Sequence, residues 1–213
     1  MLDIKRIVVA WAIFAALVCG TACTAREIEF DGFDSTTGFV LNGSAAVSNT
    51  SDGSVLRLCP AVPSAGGSAF GKVTVSAHGF KTFFKFRITS PGGPPDGYGS
   101  SGADGLVFVV QSAGNALGRF GDGIGYAGIT SSIGVEFDTW YNGDHRDPNS
   151  NHIGIDINGS VDHSSSGSIA VPVSPNFDNG QVWYAWVDYD GTTLEVRISQ
   201  SASRPDVATI SKQ

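Results

Sequence analysis

An all-β domain, an antiparallel sandwich or barrel, is the fold this sequence predicts, on three observations. Charged residues make up only 15% of the 213-residue chain, against roughly a quarter in ordinary globular proteins, which excludes coiled coils and charged disorder. Of the 20 acidic residues 16 are Asp and 4 are Glu, with one Met and 28 Gly, so helix formers are scarce while turn and cap formers abound. Short runs of β-branched and aromatic residues alternate with clusters of Gly, Ser, Asn, Asp and Pro, the rhythm of strands joined by turns.

The length suits one domain behind a leader. Lys5 and Arg6 precede the apolar stretch Ile7–Val18, whose 12 residues fall short of the roughly 20 a spanning helix needs, and small residues follow up to Ala25. Residues 1–25 therefore read as a cleaved signal peptide, with the domain over 26–213, secreted or at the cell surface. Gly20-Thr21-Ala22-Cys23 also resembles a bacterial lipoprotein signal, with Cys23 as the lipidated residue, although Gly20 stands where such signals usually carry Leu. With Cys19 and Cys23 in the leader, Cys59 is alone in the mature chain, which leaves no disulfide framework and makes it a small buried hydrophobe.

Past the leader the predicted strands are Gly38–Val47, Ser54–Leu58, Phe80–Thr89, Gly105–Gln111, Ser132–Trp140, His152–Asn158, Gln181–Tyr189 and Thr192–Ser199, each an apolar run bounded by turn formers. Asp190-Gly191 suits a type I′ turn and makes a hairpin of the last two. In its second strand Leu194, Val196 and Ile198 alternate with Glu195, Arg197 and Ser199, so one face is apolar. Trp183, Tyr184, Trp186 and Tyr189 read as sheet packing. Ser90–Gly102 and the Gly-rich Asn115–Thr130 read as long loops, a length usually tied to function.

The net charge is −7 and the basic residues never cluster, so a nucleic-acid footprint is absent; cations and neutral ligands are the better partners. The richest segment runs from Ile133 to Asp156. On a strand Glu136, Asp138, Trp140 and Asn142 would share a face, and the chain returns with Asp147 and His152. Carboxylates crowded without Lys or Arg repel one another, and cations relieve that repulsion. Oxygen donors from Asp138, Asn142, Asp147 and a backbone carbonyl suit Ca²⁺, while Glu136, Asp138, Asp147 and His152 give a mixed set suited to Mn²⁺ or a similar transition metal. An EF-hand beginning at Asp138 fails, because Trp140 and Asn149 occupy its third and twelfth positions. Zinc is set aside for want of Cys and His ligands, and His78, His145 and His163 read as solvated loop residues, Asp144 and Asp162 as surface charges.

The string Val135-Glu-Phe-Asp-Thr-Trp-Tyr-Asn142, then Asp147-Pro148 and His152-Ile-Gly-Ile-Asp156, closely resembles the metal-binding signature of the legume-type (L-type) lectins of the concanavalin A-like lectin/glucanase superfamily. Ala103-Asp104-Gly105-Leu106, the stretch Ala116–Ile129 and Gly67-Ser-Ala-Phe70 extend the resemblance over most of Phe30–Pro205. It implies a concanavalin A-like jelly-roll sandwich that binds Ca²⁺ and Mn²⁺ beside a shallow sugar site. Glu136, Asp138, Asp147 and His152 would hold the transition metal, and Asp138, the Trp140 carbonyl, Asn142 and Asp147 the Ca²⁺. Asp104, behind a cis Ala103–Asp104 peptide, would accept hydrogen bonds from two sugar hydroxyls; Asn142 would donate its amide and Trp140 would stack on the pyranose. Asn115 stands where the family places a Gly that offers its N–H. The family also continues beyond an Arg-Pro like Arg204-Pro205 with strands that complete the sandwich, so the resemblance implies a domain truncated at its C-terminus, of marginal stability, with any homo-oligomer formed through the back sheet.

Two other functions share these residues. A β-glucanase-type glycoside hydrolase would use Glu136 as nucleophile, but Tyr141 stands where the second Glu of its Glu-x-Asp-x-x-Glu pattern belongs, so the leaving group lacks its acid. An adhesion module would keep the metals as loop stiffeners and lack the sugar site. Non-catalytic glycan recognition is the expected activity.

Overall fold

The computed structural model describes residues 2–10 as backbone, and 28–30, 32–73, 78–164 and 167–213 with their side chains. Its strands are β1 (Leu2–Ala10), β2 (Ile28–Phe30), β3 (Phe39–Gly43), β4 (Ala46–Thr50), β5 (Gly53–Arg57), β6 (Gly67–Gly71), β7 (Phe80–Ile88), β8 (Gly105–Gln111), β9 (Ser132–Asp138), β10 (His152–Ile157), β11 (Ile169–Pro172), β12 (Trp183–Tyr189), β13 (Leu194–Ser199) and β14 (Ile210–Lys212). The large sheet runs β14-β13-β12-β7-β1-β5-β4 with β2 also on β1, a four-stranded sheet runs β11-β10-β9-β8, and β3 pairs with β6. The ladders between described strands are antiparallel, as an all-β jelly-roll sandwich requires.

Alternation explains the layering. Along β7, Phe80, Thr82, Phe84, Phe86 and Ile88 are buried while Lys81 is exposed and Lys85 and Arg87 are half-buried. Across the gap, Phe84 stacks on Phe108 with ring centroids 5.6 Å apart and Phe86 lies 4.9 Å from Phe137. Phe137 meets Phe177, and Phe177 meets Trp183 edge-on at 5.0 Å. Each fully buried Phe contributes about 1.5–3 kcal/mol. A surface pair such as Arg119–Asp122, with side chains 58% and 43% exposed, adds about 0–1 kcal/mol. The aromatic spine therefore holds the sheets together, and it backs the strands that carry the site.

Several boundaries differ from the sequence reading. The stretch predicted as Gly38–Val47 breaks into β3 and β4, because Gly43 takes φ +61° where a Cβ would meet the Gly66 carbonyl, and the Ser44 N–H donates to that same oxygen. β2, β6, β11 and β14 were not predicted; they are three to five residues long and carry no long apolar run. Asp190-Gly191 is not a type I′ turn: only Gly191 of the pair has positive φ, the last rung is Tyr189 with Leu194, and Asp190 Oδ1 accepts the Thr192 and Thr193 N–H groups. The hairpin itself stands, with a loop of Asp190–Thr193.

Of the residues read as a leader, Met1 and 11–25 lie outside the described residues, Cys19 and Cys23 among them, while Leu2–Ala10 runs as β1 between β7 and β5. After Arg204-Pro205 the chain adds β14 against β13. Among the described residues no helix is long and apolar enough to cross a membrane.

Candidate functional site

The site grows from the pairing of β9 with β10, in which Asp138 lies opposite His152, Glu136 opposite Gly154 and Gly134 opposite Asp156. Val135 and Phe137 point into the core with Ile153 and Ile155, so Glu136, Asp138, His152 and Asp156 share the other face. Two glycines make room for them. A Cβ at Gly154 would lie 2.4 Å from Glu136 Oε1, and one at Gly134 would lie 3.0 Å from the Tyr126 ring, which covers that end of the face with its hydroxyl donating to the Asp156 carbonyl.

The strand ends at Asp138 rather than Trp140, because Asp138 Oδ1 accepts the Trp140 N–H at 2.6 Å and turns the chain. A single 3₁₀ turn, Gly143–His145, then carries it around. Asp147 Oδ2 accepts the Asn142 N–H at 2.6 Å, which closes the loop on itself. Trp140 and Asn142 thus reach the site from this loop, not from a common strand face. His152 Nδ1 lies 3.0 Å from the Asn149 carbonyl, which turns Nε2 toward the cluster. Nε2 faces Glu136 Oε1 at 3.2 Å and Asp147 Oδ1 at 3.7 Å.

One expectation is overturned. His163, read as a solvated loop residue, has a side chain only 5% exposed, with Nε2 2.6 Å from Glu136 Oε1 and Nδ1 3.3 Å from Asp147 Oδ1. It also lies 3.7 Å from Asp156 Oδ1. The signal for it is Asn158-Gly159, both at positive φ (55° and 74°), a tight turn of the type Asn-Gly favours. That turn sends Ser160–His163 back across the face of β10, where the His163 N–H donates to the His145 carbonyl. His145 itself is 16% exposed and 3.7 Å from Asp122.

The electrostatics of this cluster call for cations. Glu136, Asp138, Asp147 and Asp156 are at most 9% exposed, and none pairs with a Lys or Arg among the described residues. Burial, then the Glu136 charge, push Asp138 well above the usual carboxylate range and Asp156 up to about 9. Burial acts the same way on Glu136, but the two imidazoles outweigh it and bring that carboxyl down to about 2. His163 is disfavoured as a cation by burial, yet its contacts with Asp147 and Glu136 carry it up to about 10. His152 Nε2, His163 Nδ1 and both Asp156 carboxylate oxygens are buried without a hydrogen-bond partner, an expensive state for polar atoms. Two sets, Glu136/His152/His163 and Asp138/Asp147/His152, each bring one donor atom per residue within 4.8 Å of the others. The donor set fits divalent metals, nitrogen and oxygen on one side and oxygen-rich on the other.

Asp104 is fastened to the same loop. The Ala103–Asp104 peptide is cis, the Thr139 N–H donates to the Asp104 carbonyl at 3.0 Å, and the Thr139 hydroxyl donates to the Gly102 carbonyl at 2.7 Å. Gly105 next to it pairs with Asp138, at a φ of +134° where a Cβ would lie 2.4 Å from the Phe137 carbonyl. Asp104, Asn115, Trp140 and Asn142 line one cavity with Leu117 and Phe120. Asn42 Nδ2 donates to the Asn115 carbonyl at 2.7 Å, which anchors that wall. Burial, then Asp122, push the Asp104 carboxyl upward.

Sequence reading missed Asp96. Its carboxylate accepts the Tyr98, Ser100 and Tyr141 N–H groups at 2.9–3.0 Å, and Tyr98 meets Tyr141 edge-on at 4.7 Å. The long loop Ser90–Gly102 is therefore clamped to the metal-type loop. An Asp amid Pro and Gly two residues before Tyr98 was the available cue.

The lectin-domain receptor kinase VIII.1 of Arabidopsis thaliana is 36% identical over 138 residues, which cover 62% of this chain and 18% of the kinase. The galactose-binding lectin of Arachis hypogaea is 30% identical over 116 residues, 52% of this chain and 40% of that protein. Among solved structures, basic winged bean lectin with Tn-antigen superposes with a TM-score of 0.59 at 28% identity, covering 76% of this chain and 69% of that one. The family model of the legume lectin domain matches residues 25–213, and on that match, with the β9–β10 cluster and the Asp104 peptide described above, the chain belongs to the legume lectin family.

Proposed function

We propose that the protein is a secreted or cell-surface lectin whose glycan binding depends on Ca²⁺ and a Mn²⁺-type ion and involves no catalysis. The observation that carries this reading is the linkage of Asp104 to the metal-type loop: Thr139 and Gly105 tie its backbone to Asp138 and its neighbours. Ions held by that loop would then set the position of the sugar-contacting groups.

In this reading Asp138, the Trp140 carbonyl, Asn142 and Asp147 hold Ca²⁺, while Glu136, Asp138, Asp147 and His152 hold the transition metal. The ions would supply positive charge to the crowded carboxylates and fix the loop. Asp104 accepts from two adjacent hydroxyls, Asn142 donates its amide, Asn115 offers its N–H, and Trp140 stacks on the apolar sugar face. Glu136 is 1% exposed and lies beneath His152 and His163, which argues against its use as a hydrolase nucleophile. The galactose specificity named for the Arachis hypogaea relative makes galactosides the first ligands to screen. Residues 1–25 would be a cleaved leader, with Cys23 as the alternative lipid attachment point. Any assembly of copies would use the outer face of the large sheet, where Phe83, Tyr184 and Trp186 stack within 6.4 Å of one another.

The test is Asp104→Ala. Glycan binding should be lost while uptake of metal, read by calorimetry, persists. Retained glycan binding in that variant would contradict the sugar site; a parent chain that takes up metal and binds no glycan would favour the adhesion role.

A further inference from the structure

We infer that His163 is a second imidazole ligand of the transition-metal centre, so that this chain's site is a two-histidine carboxylate centre preferring zinc-like ions, Zn²⁺ or Co²⁺, over Mn²⁺. The inference rests on reading the β9–β10 cluster as a metal centre and deepens it.

Geometry supports it first. Donors bound to one ion at about 2.0–2.2 Å stand about 3.0–3.6 Å apart. His152 Nε2 and Glu136 Oε1, at 3.2 Å, already have that spacing, and His163 Nε2, 2.6 Å from the same oxygen, needs to open by about 0.4–1.0 Å to reach it. The Glu136, His152 and His163 donors all lie within 4.8 Å of one another. The two imidazole planes are at 89° with centroids 5.4 Å apart, so the rings do not stack and both edges turn to the same carboxylate. His163 directs Nε2 toward Glu136 and leaves Nδ1 buried without a hydrogen-bond partner, 3.3 Å from Asp147 Oδ1. Its position is set by the Asn158-Gly159 turn and by the backbone hydrogen bond to His145, not by a flexible tail.

Charge supports it second. As the cluster stands, His152 Nε2, His163 Nδ1 and both Asp156 oxygens are buried without hydrogen-bond partners. An ion at this point gives the His152 lone pair a partner and relieves Glu136 and Asp147 together. A second nitrogen donor shifts selectivity, because imidazole favours zinc and the later first-row ions over Mn²⁺, which prefers carboxylate and water.

The experiment uses the 213-residue chain stripped by chelator, then given Ca²⁺ and one equivalent of Co²⁺. Proton NMR should show two hyperfine-shifted imidazole N–H signals, with one lost in His163→Gln and the other in His152→Gln. Zn²⁺ affinity, read by chelator competition, should fall about 10–100-fold in His163→Gln, with a smaller loss for Mn²⁺. His163→Cys is the second variant: a thiolate-to-Co²⁺ charge-transfer band, absent from the parent chain, should appear because position 163 sits in the coordination sphere. A single imidazole signal in the parent chain, unchanged in His163→Gln, with no charge-transfer band in His163→Cys, would overturn the assignment while leaving the metal centre intact. Absence of bound Co²⁺ and Zn²⁺ altogether would overturn both.

Discussion

At the scale of single residues, the proposed sugar site and metal cluster share Trp140 and Asn142, while Asp104 belongs to the proposed sugar site alone. In the proposed site Asp104 supplies acceptors to the sugar, and charge-assisted hydrogen bonds contribute about 1.5–3 kcal/mol each. Losing two of them in Asp104→Ala should weaken glycan binding by at least about 100-fold, with the metal-induced rise in melting temperature retained; a loss of under tenfold would remove Asp104 from the account. Burial raises the Asp104 carboxyl above its ordinary 3.8. As pH falls the group therefore takes up its proton earlier than an exposed Asp, and the neutral acid no longer accepts from both hydroxyls. Glycan affinity should fall in acid with a midpoint above pH 3.8, measured with metal occupancy followed in parallel; affinity that stays flat through that range would contradict it. The spacing names Glu136, Asp138, Asp147, His152 and Asp104 as candidates, and the first four converge at the β9–β10 ladder. Asp96 and His163 were not legible in that spacing, since each is brought in by chain reversal rather than by strand periodicity.

At the scale of elements, the β9–β10 ladder is the unit that makes the cluster, and its small residues are part of the design. Gly154 lies opposite Glu136, and an added methyl would meet the carboxylate at 2.4 Å. Because the obstacle is a side-chain end, Gly154→Ala should fold but displace Glu136, lowering transition-metal affinity about tenfold; unchanged affinity would show that Glu136 is not a ligand. In the β12–β13 hairpin, Gly191 holds φ +98° with the His78 carbonyl 2.8 Å from any added Cβ. Gly191→Ala should cost about 1–3 kcal/mol in denaturant unfolding, with metal affinity untouched. Long alternating strands such as β7, β12 and β13 were read correctly because half their residues face the core. The short β2, β6, β11 and β14 gave no such periodicity; they exist because neighbouring strands offer them an edge. The Asp190 side chain, by accepting two backbone N–H groups, built a longer loop than the Asp-Gly pair alone suggests.

At the scale of the molecule, the two sheets close on an aromatic spine, and the large sheet includes β1, paired with β7 from Leu2 opposite Ile88 to Ala10 opposite Lys81. Cleavage of the proposed leader after Ala25 would remove that ladder and leave the edges of β7 and β5 open, a state prone to pairing with other chains. Residues 26–213 produced alone should melt below the 213-residue chain or aggregate; equal melting temperatures and a monomeric product would show that β1 contributes little. The jelly-roll class was legible from composition and from the metal-loop motif together, whereas the strand order was not, because order depends on contacts distant in sequence. The central claim is that metal-held loops position the glycan-binding groups, and it is tested most directly by glycan-panel binding with Ca²⁺ and Mn²⁺ present, after chelation, and after the metals are restored. The account predicts binding, loss and recovery in that sequence; glycan binding sustained in chelator would contradict it.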